Sequence, residues 1–80
     1  MKPNISSLNT LSLGEKAVVS DITVSGTERR RMLDLGLVRG ASVEALHKSP
    51  AGDPTAYFIM GAVIALRGED AQKILIENIK

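Results

Sequence analysis

Apolar runs alternate with glycine- and proline-containing breaks along most of this 80-residue chain. Residues 17–24, AVVSDITV, are rich in β-branched side chains and predict a strand. ASVEALH at 41–47 and TAYFIM at 55–60 predict two more, separated by KSPAGDP at 48–54, a stretch of turn residues. Gly61 with Ala62 predicts a two-residue hairpin turn of the Gly-X type, so that AVIALR at 62–67 returns as a further strand. GEDAQ at 68–72 predicts one helical turn, and KILIENI at 73–79 a closing strand. The polar start predicts a loose N-terminal arm over residues 1–8, or a short edge segment reaching residue 10.

Between the first two strands, SGTE at 25–28 has the form of a capping box, with Ser25 and Glu28 exchanging bonds to each other's backbone amides. It predicts a short helix running to about Leu35, with Met32, Leu33 and Leu35 on its apolar side. Gly36 is placed to end the helix, and residues 36–40 to turn the chain, Gly40 suiting a positive φ. The order is strand, short helix, three-strand meander, helical turn, final strand. That is a mainly β domain of about five strands spanning residues 1–80. Its short connections predict a small closed barrel, which would leave no strand edge open.

Composition narrows the picture. The hydrophobic fraction is 44%, but Tyr57 and Phe58 are the sole aromatics, so the core must be built from Val, Ile, Leu and Ala. There is no cysteine to form a disulfide or a thiolate ligand. A net charge of +1 lacks the basic excess of a nonspecific nucleic-acid binder. No apolar run is long enough to span a bilayer, and the first residues do not read as a signal peptide; the expected location is cytoplasmic, without membrane insertion.

Chemistry-bearing constellations are sparse. His47 is the single histidine, and on a regular strand it would face away from Glu44, so no metal site is expected. Asp53 reads as a turn residue bonding local backbone. Glu69 and Asp70 suit the start of a helical turn. Neither a phosphate-binding GxxxxGK loop nor GxGxxG is present. No nucleophile with a base, or acid with a base, is suggested. The expectation is a protein without enzymatic activity or cofactor.

Two features point outward instead. Arg29, Arg30 and Arg31 lie near the expected helix start and Asp34 near its end, both against the helix dipole. Pairs from Arg30 or Arg31 to Asp34 would offset this by similar amounts. The cluster is either a solvated face or a docking surface for an acidic partner. TAYFIM, in turn, is apolar on both faces, where a half-buried hairpin strand should alternate. Either the N-terminal arm or the last helical turn covers the second face, or Phe58, Met60 and Val63 form a patch for a partner or a second copy.

LSLGEKAVVSDI, RRRMLDLGLVRGASVEAL and SPAGDPTAYFIMGAVIALRGEDAQKILIE together resemble the ferrous iron transport protein A (FeoA) family over about residues 8–79. The shared pattern is an arginine-rich helix, LDLGL-x-x-G, a GDP turn, a glycine hairpin, ALR and an acidic helical turn. The resemblance implies an SH3-like β-barrel and a small cytoplasmic accessory of FeoB, a ferrous iron transporter with a cytosolic GTP-binding domain. One departure is Arg39, where the family often has proline; it adds a positive charge near the helix. The expected contact residues are Arg29, Arg30, Arg31, Asp34, Leu35, Leu37, Arg39, Phe58, Met60 and Val63. Competing expectations are a small nucleic-acid-binding barrel, which the low charge and scarce aromatics disfavour, and a homo-oligomer formed through the hairpin at 55–66.

Overall fold

The computed structural model describes residues 5–78. Its strands are β1 (Ile5–Ser7), β2 (Lys16–Ile22), β3 (Ser42–Lys48), β4 (Thr55–Ile59), β5 (Ala62–Leu66) and β6 (Ile74–Asn78). A 3-10 turn (Leu8–Thr10) follows β1, helix α1 (Gly26–Asp34) joins β2 to β3, and helix α2 (Gly68–Ala71) joins β5 to β6. The fold is mainly β, as expected, with one strand more than the sequence suggests. That strand is β1, which pairs with β6 from Ile5↔Glu77 to Ser7↔Leu75. The segment read as a loose arm is thus an edge strand over 5–7, and Leu8 after it is fully buried. Residues 1–4 of that arm, and Ile79 of the closing strand, lie outside the described residues.

All neighbouring strands are antiparallel, in the order β1-β6-β2-β3-β4-β5. Among the described residues this ladder has two ends, β1 and β5, so hydrogen bonding does not close the ring that the sequence suggested. Alternation sorts the side chains. Ala17, Val19, Val43, Ala45, Tyr57, Ile59, Leu66, Ile74 and Ile76 point into one core, joined by Leu8, Met32 and Leu37. The core is aliphatic apart from Tyr57, as the composition requires.

Helix α1 is pinned at its end rather than its start. Gly26 takes a φ of 67°, which turns Ser25 away, and the Ser25 side chain caps nothing. The expected capping box is absent; Glu28 instead binds Lys73 Nζ at 2.7 Å. At the other end the amide of Gly36 donates to Leu33 O (3.0 Å) and that of Leu37 to Met32 O (3.1 Å). This is a Schellman motif, whose accompanying apolar contact is supplied by two buried residues, Met32 and Leu37. Gly36 has a φ of 101°, and a Cβ there would lie 3.0 Å from Met60 Cγ. Glycine is therefore needed twice, for its backbone and for the approach of the hairpin tip.

Asp53 reaches further than a local turn. Its Oδ1 accepts the Gly68 amide at 2.7 Å, at the start of α2, and its other oxygen lies 3.8 Å from Arg67. The backbone carbonyl of Asp53 accepts from Ser49 Oγ at 2.7 Å. The residue ties the β3–β4 loop to α2 across fifteen positions of sequence.

Two outcomes are expected. Gly36→Ala combines left-handed strain with a collision and should destabilise by about 2–4 kcal/mol. Gly14→Ala, whose φ is 87° but whose Cβ would meet nothing within 4 Å, should cost only about 1–2 kcal/mol. Urea unfolding distinguishes them, and equal losses would refute the role of Met60. Tyr57 offers a second test. Burial, more than the Asp53 charge and against a bond from Thr55, raises its phenol above the ordinary 10.0. The folded chain holds that proton longer than the unfolded one, so this stabilisation is complete below about pH 10 and is lost as pH rises through the folded pKa. Absorbance of the lone tyrosine near 295 nm should show the raised midpoint, and Tyr57→Phe should flatten the alkaline loss of stability.

Candidate interaction surface

The three consecutive arginines of α1 have separate fates. With the helix spanning Gly26–Asp34, Glu28 falls in the first turn and Arg31 in the last. Both placements favour the dipole, which removes Arg31 from the charges expected to oppose it, while Asp34, the last helical residue, still does. Arg31 lies 3.8 Å from Asp70 of α2 and not against Asp34, because the fold brings α2 alongside the helix. Among the described residues Asp34 and Arg30 form no salt bridge, and both are exposed. Leu35 is half-buried, whereas Leu37 is wholly enclosed. Leu37 is therefore a core residue and offers no contact surface.

Arg29 and Arg39 are placed by an irregularity in β2. Up to Val19, odd-numbered residues bond toward β3: Ala45 N donates to Glu15 O, Gly40 N to Val19 O, and Val19 N to Ala41 O. A register shift between Val19 and Asp21 inserts one residue and reverses the phase. Thr23 now bonds toward Lys73 O, and Ser20 and Ile22 face the side that β3, beginning at Ser42, does not reach. Side chains serve them. Arg39 Nε donates to Ser20 O at 3.1 Å and Arg29 Nη1 to Ile22 O at 3.3 Å. The Ile22 amide donates to Asp21 Oδ1 at 2.8 Å. Between them opens a cleft of about 290 Å³ lined by Asp21, Ile22, Arg29, Leu33 and Arg39. Leu33, expected on the apolar core side of the helix, lines this cleft instead. It stands four residues after Arg29, the helical spacing that could have revealed the pair.

The hairpin forms the second feature. Thr55, Tyr57 and Ile59 point inward, while Phe58 (43%), Met60 (65%) and Val63 (63%) are exposed. Neither β1 nor α2 covers them. Phe58 stands directly across from Val63, and Ala56 from Ala65, giving an apolar outer face. It continues into a groove of about 320 Å³ lined by His47, Pro50, Pro54, Ala56 and Ala65, among others. A second bulge lies in β3: Glu44 pairs with Phe58 and His47 with Ala56. The two partners share a face, so Glu44 and His47 do too, contrary to the regular-strand expectation. Among the described residues no group of three or more His, Asp or Glu that could hold an ion occurs.

The hairpin turn is not Gly61–Ala62. Ile59 pairs with Ala62, leaving Met60 and Gly61 as the central residues, with φ of 49° and 83°. Positive φ at both positions is the I′ pattern favoured in two-residue hairpins. Asn-Gly would satisfy it easily; methionine does so under strain. Met60 packs over Gly36, joining the hairpin tip to the end of α1 on one surface. No helix among the described residues is long and apolar enough to cross a membrane.

The FeoA domain family profile matches residues 6–78. An Fe(2+) transport protein A/Fe(2+) transporter FeoB fusion protein of Porphyromonas gingivalis is 38% identical over 72 residues, which are 90% of this chain and 8% of the fusion. The chain thus spans less than a tenth of that relative. A FeoA-like protein of Clostridium acetobutylicum, solved by NMR, is 32% identical with a TM-score of 0.87, covering 100% of this chain and 92% of that one. FeoA of Stenotrophomonas maltophilia, crystallised with zinc, is 28% identical with a TM-score of 0.77 over 88% of this chain and 87% of that one. It is described as a prokaryotic SH3 domain protein and put forward as a bacterial ferrous iron transport activating factor.

If exposure of Met60 is retained against backbone preference, Met60→Asn should leave stability unchanged or raise it by up to about 1 kcal/mol. Urea denaturation checks this. A loss greater than about 1 kcal/mol would mean that packing on Gly36 outweighs the strain.

Proposed function

This chain belongs to the FeoA domain family, and we propose that it is a non-enzymatic accessory of ferrous iron uptake, docking on the cytosolic side of a FeoB-type transporter. The observation that carries the proposal is the Porphyromonas gingivalis relative, in which the matching domain and an Fe(2+) transporter share one chain. Covalent linkage holds two modules at an effective concentration near millimolar for a short flexible linker, so a contact useful in a fusion can be weak. The domain's own surface supplies the contact. Here that surface combines Phe58, Met60 and Val63 with the exposed Arg30 and Asp34 and the half-buried Leu35 at the end of α1. The apolar side chains would give affinity, and the charges orientation and encounter rate. The working location is the cytoplasm.

The test is titration of the full chain against the transporter's cytosolic GTP-binding domain, loaded with GDP or a GTP analogue. Arg30→Glu and Phe58→Glu should each weaken binding tenfold or more, about 1.4 kcal/mol, with circular dichroism unchanged. Only the arginine contribution should also fade with salt. Absence of binding in both nucleotide states up to about 1 mM, roughly −4 kcal/mol, would overturn docking on that domain.

A second reading has one observation behind it. β5 is an end strand, and its five residues AVIAL carry no charge, so it lacks the usual guards against strand pairing. Two copies could pair antiparallel about Ile64 and extend the sheet. Light scattering that reports a dimer sensitive to Ile64→Lys would favour it.

A further inference from the structure

We propose that the cleft between α1 and the end of β2 is a receptor for one glutamate side chain of a protein segment, held between the guanidinium groups of Arg29 and Arg39. The inference refines the docking reading by naming the chemistry of one contact.

Three observations carry it. First, both guanidinium groups are tied to the backbone at the cleft. Each donates once to a β2 carbonyl, Arg39 to Ser20 at 3.1 Å and Arg29 to Ile22 at 3.3 Å. Those carbonyls are two residues apart, about 7 Å along a strand. Second, neither cleft arginine is held in a salt bridge. The salt bridges among the described residues are Arg31–Asp70, Arg67–Asp53 and Lys73–Glu28, and neither cleft arginine takes part. Asp21 lines the same cleft, but it takes the Ile22 amide and lies in no ion pair with them. Each guanidinium has five N–H donors and has committed one to the backbone, leaving free donors of the kind that grip a carboxylate. Third, the remaining walls are aliphatic: Ile22 and Leu33.

Size and charge select the occupant. At about 290 Å³ the cleft is at the lower end for ligand sites; it admits a side chain more readily than a nucleotide. Two arginines against Asp21 leave one net positive charge. That balance suits a monoanion better than a dianionic phosphate. The aliphatic walls match the two methylenes of glutamate, and residues flanking it would lie over Leu33.

The full chain, labelled with ¹⁵N, would be titrated with the peptide Ac-Ala-Leu-Glu-Leu-Ala-NH₂, its Gln counterpart, and inorganic phosphate. The Glu peptide should shift the Nε–Hε signals of Arg29 and Arg39 and the amides of Ile22 and Leu33, saturably and at one shared dissociation constant. The Gln peptide should bind at least tenfold more weakly. Arg29→Lys and Arg39→Lys keep the charge but remove the fork, and each should weaken the Glu peptide about fivefold or more. Arginine signals that do not move, or that respond equally to the Gln peptide, would overturn the proposal. So would phosphate acting at lower concentration than the Glu peptide, which would make this a phosphate site. The wild-type comparison needs no variant to fold. Because the transporter is absent from it, failure here is separable from failure of docking.

Discussion

A single extra residue in β2 sets the arrangement of everything on its open side. β2 is a central strand, bonded to β6 along its length and to β3 only over its first half. Buried backbone groups must find partners, and the bulge between Val19 and Asp21 turns Ser20 and Ile22 toward the side that β3 leaves empty. The chain answers with α1 and the 36–40 turn, whose arginines supply donors to both carbonyls. One local irregularity thus leaves the two carbonyls that Arg29 and Arg39 bind, at the edge of the cleft.

A second junction couples this region to the hairpin. Gly36 ends α1 in a left-handed conformation, and Met60 rests where a Cβ would otherwise be. The helix end and the hairpin tip are therefore positioned against each other. Met60 holds an unfavourable φ while staying 65% exposed. The same residue closes the turn and stays largely in solvent, so it belongs both to the packing on Gly36 and to the hairpin's outer face. The contact brings the helix end and the hairpin tip together across the 24 positions from Gly36 to Met60.

The family relationship and the geometry contribute different things. Family membership and the SH3 domain description of a solved relative accord with the architecture, and in the fused relative a matching domain shares one chain with an Fe(2+) transporter. The side chains that would make contact come from this chain's own surface. Arg39 shows the difference: read along the chain it is a departure from the family's frequent proline, and in space it is one jaw of the cleft.

Much of the fold was legible because it depends on short-range chemistry. β-Branched runs marked β2 to β6, Gly36 marked the end of α1, and the charge and aromatic content pointed away from nucleic acid. The resemblance to FeoA followed from ordered motifs, each visible in line. What failed were features set by pairing at a distance. β1 is three residues with a weak pattern and forms because β6 offers an edge. Registers of β4 and β5 put the turn on Met60 rather than Gly61–Ala62, since strand pairing can hold methionine at a φ that its local preference resists. The bulge in β3 brought Glu44 and His47 to one face, and Asp53 found Gly68 instead of its own turn. Arg31 lies near Asp70 and not Asp34 because the fold brings the Asp70 carboxylate within 3.8 Å of it. The sequence by itself determined β2 to β6, the two helices and their order, which local backbone preference and hydrophobic alternation suffice to fix. Only the tertiary structure decided which charges pair, which apolar residues stay outside and where the cleft forms, because each depends on strand register and on which backbone groups are left without a neighbour.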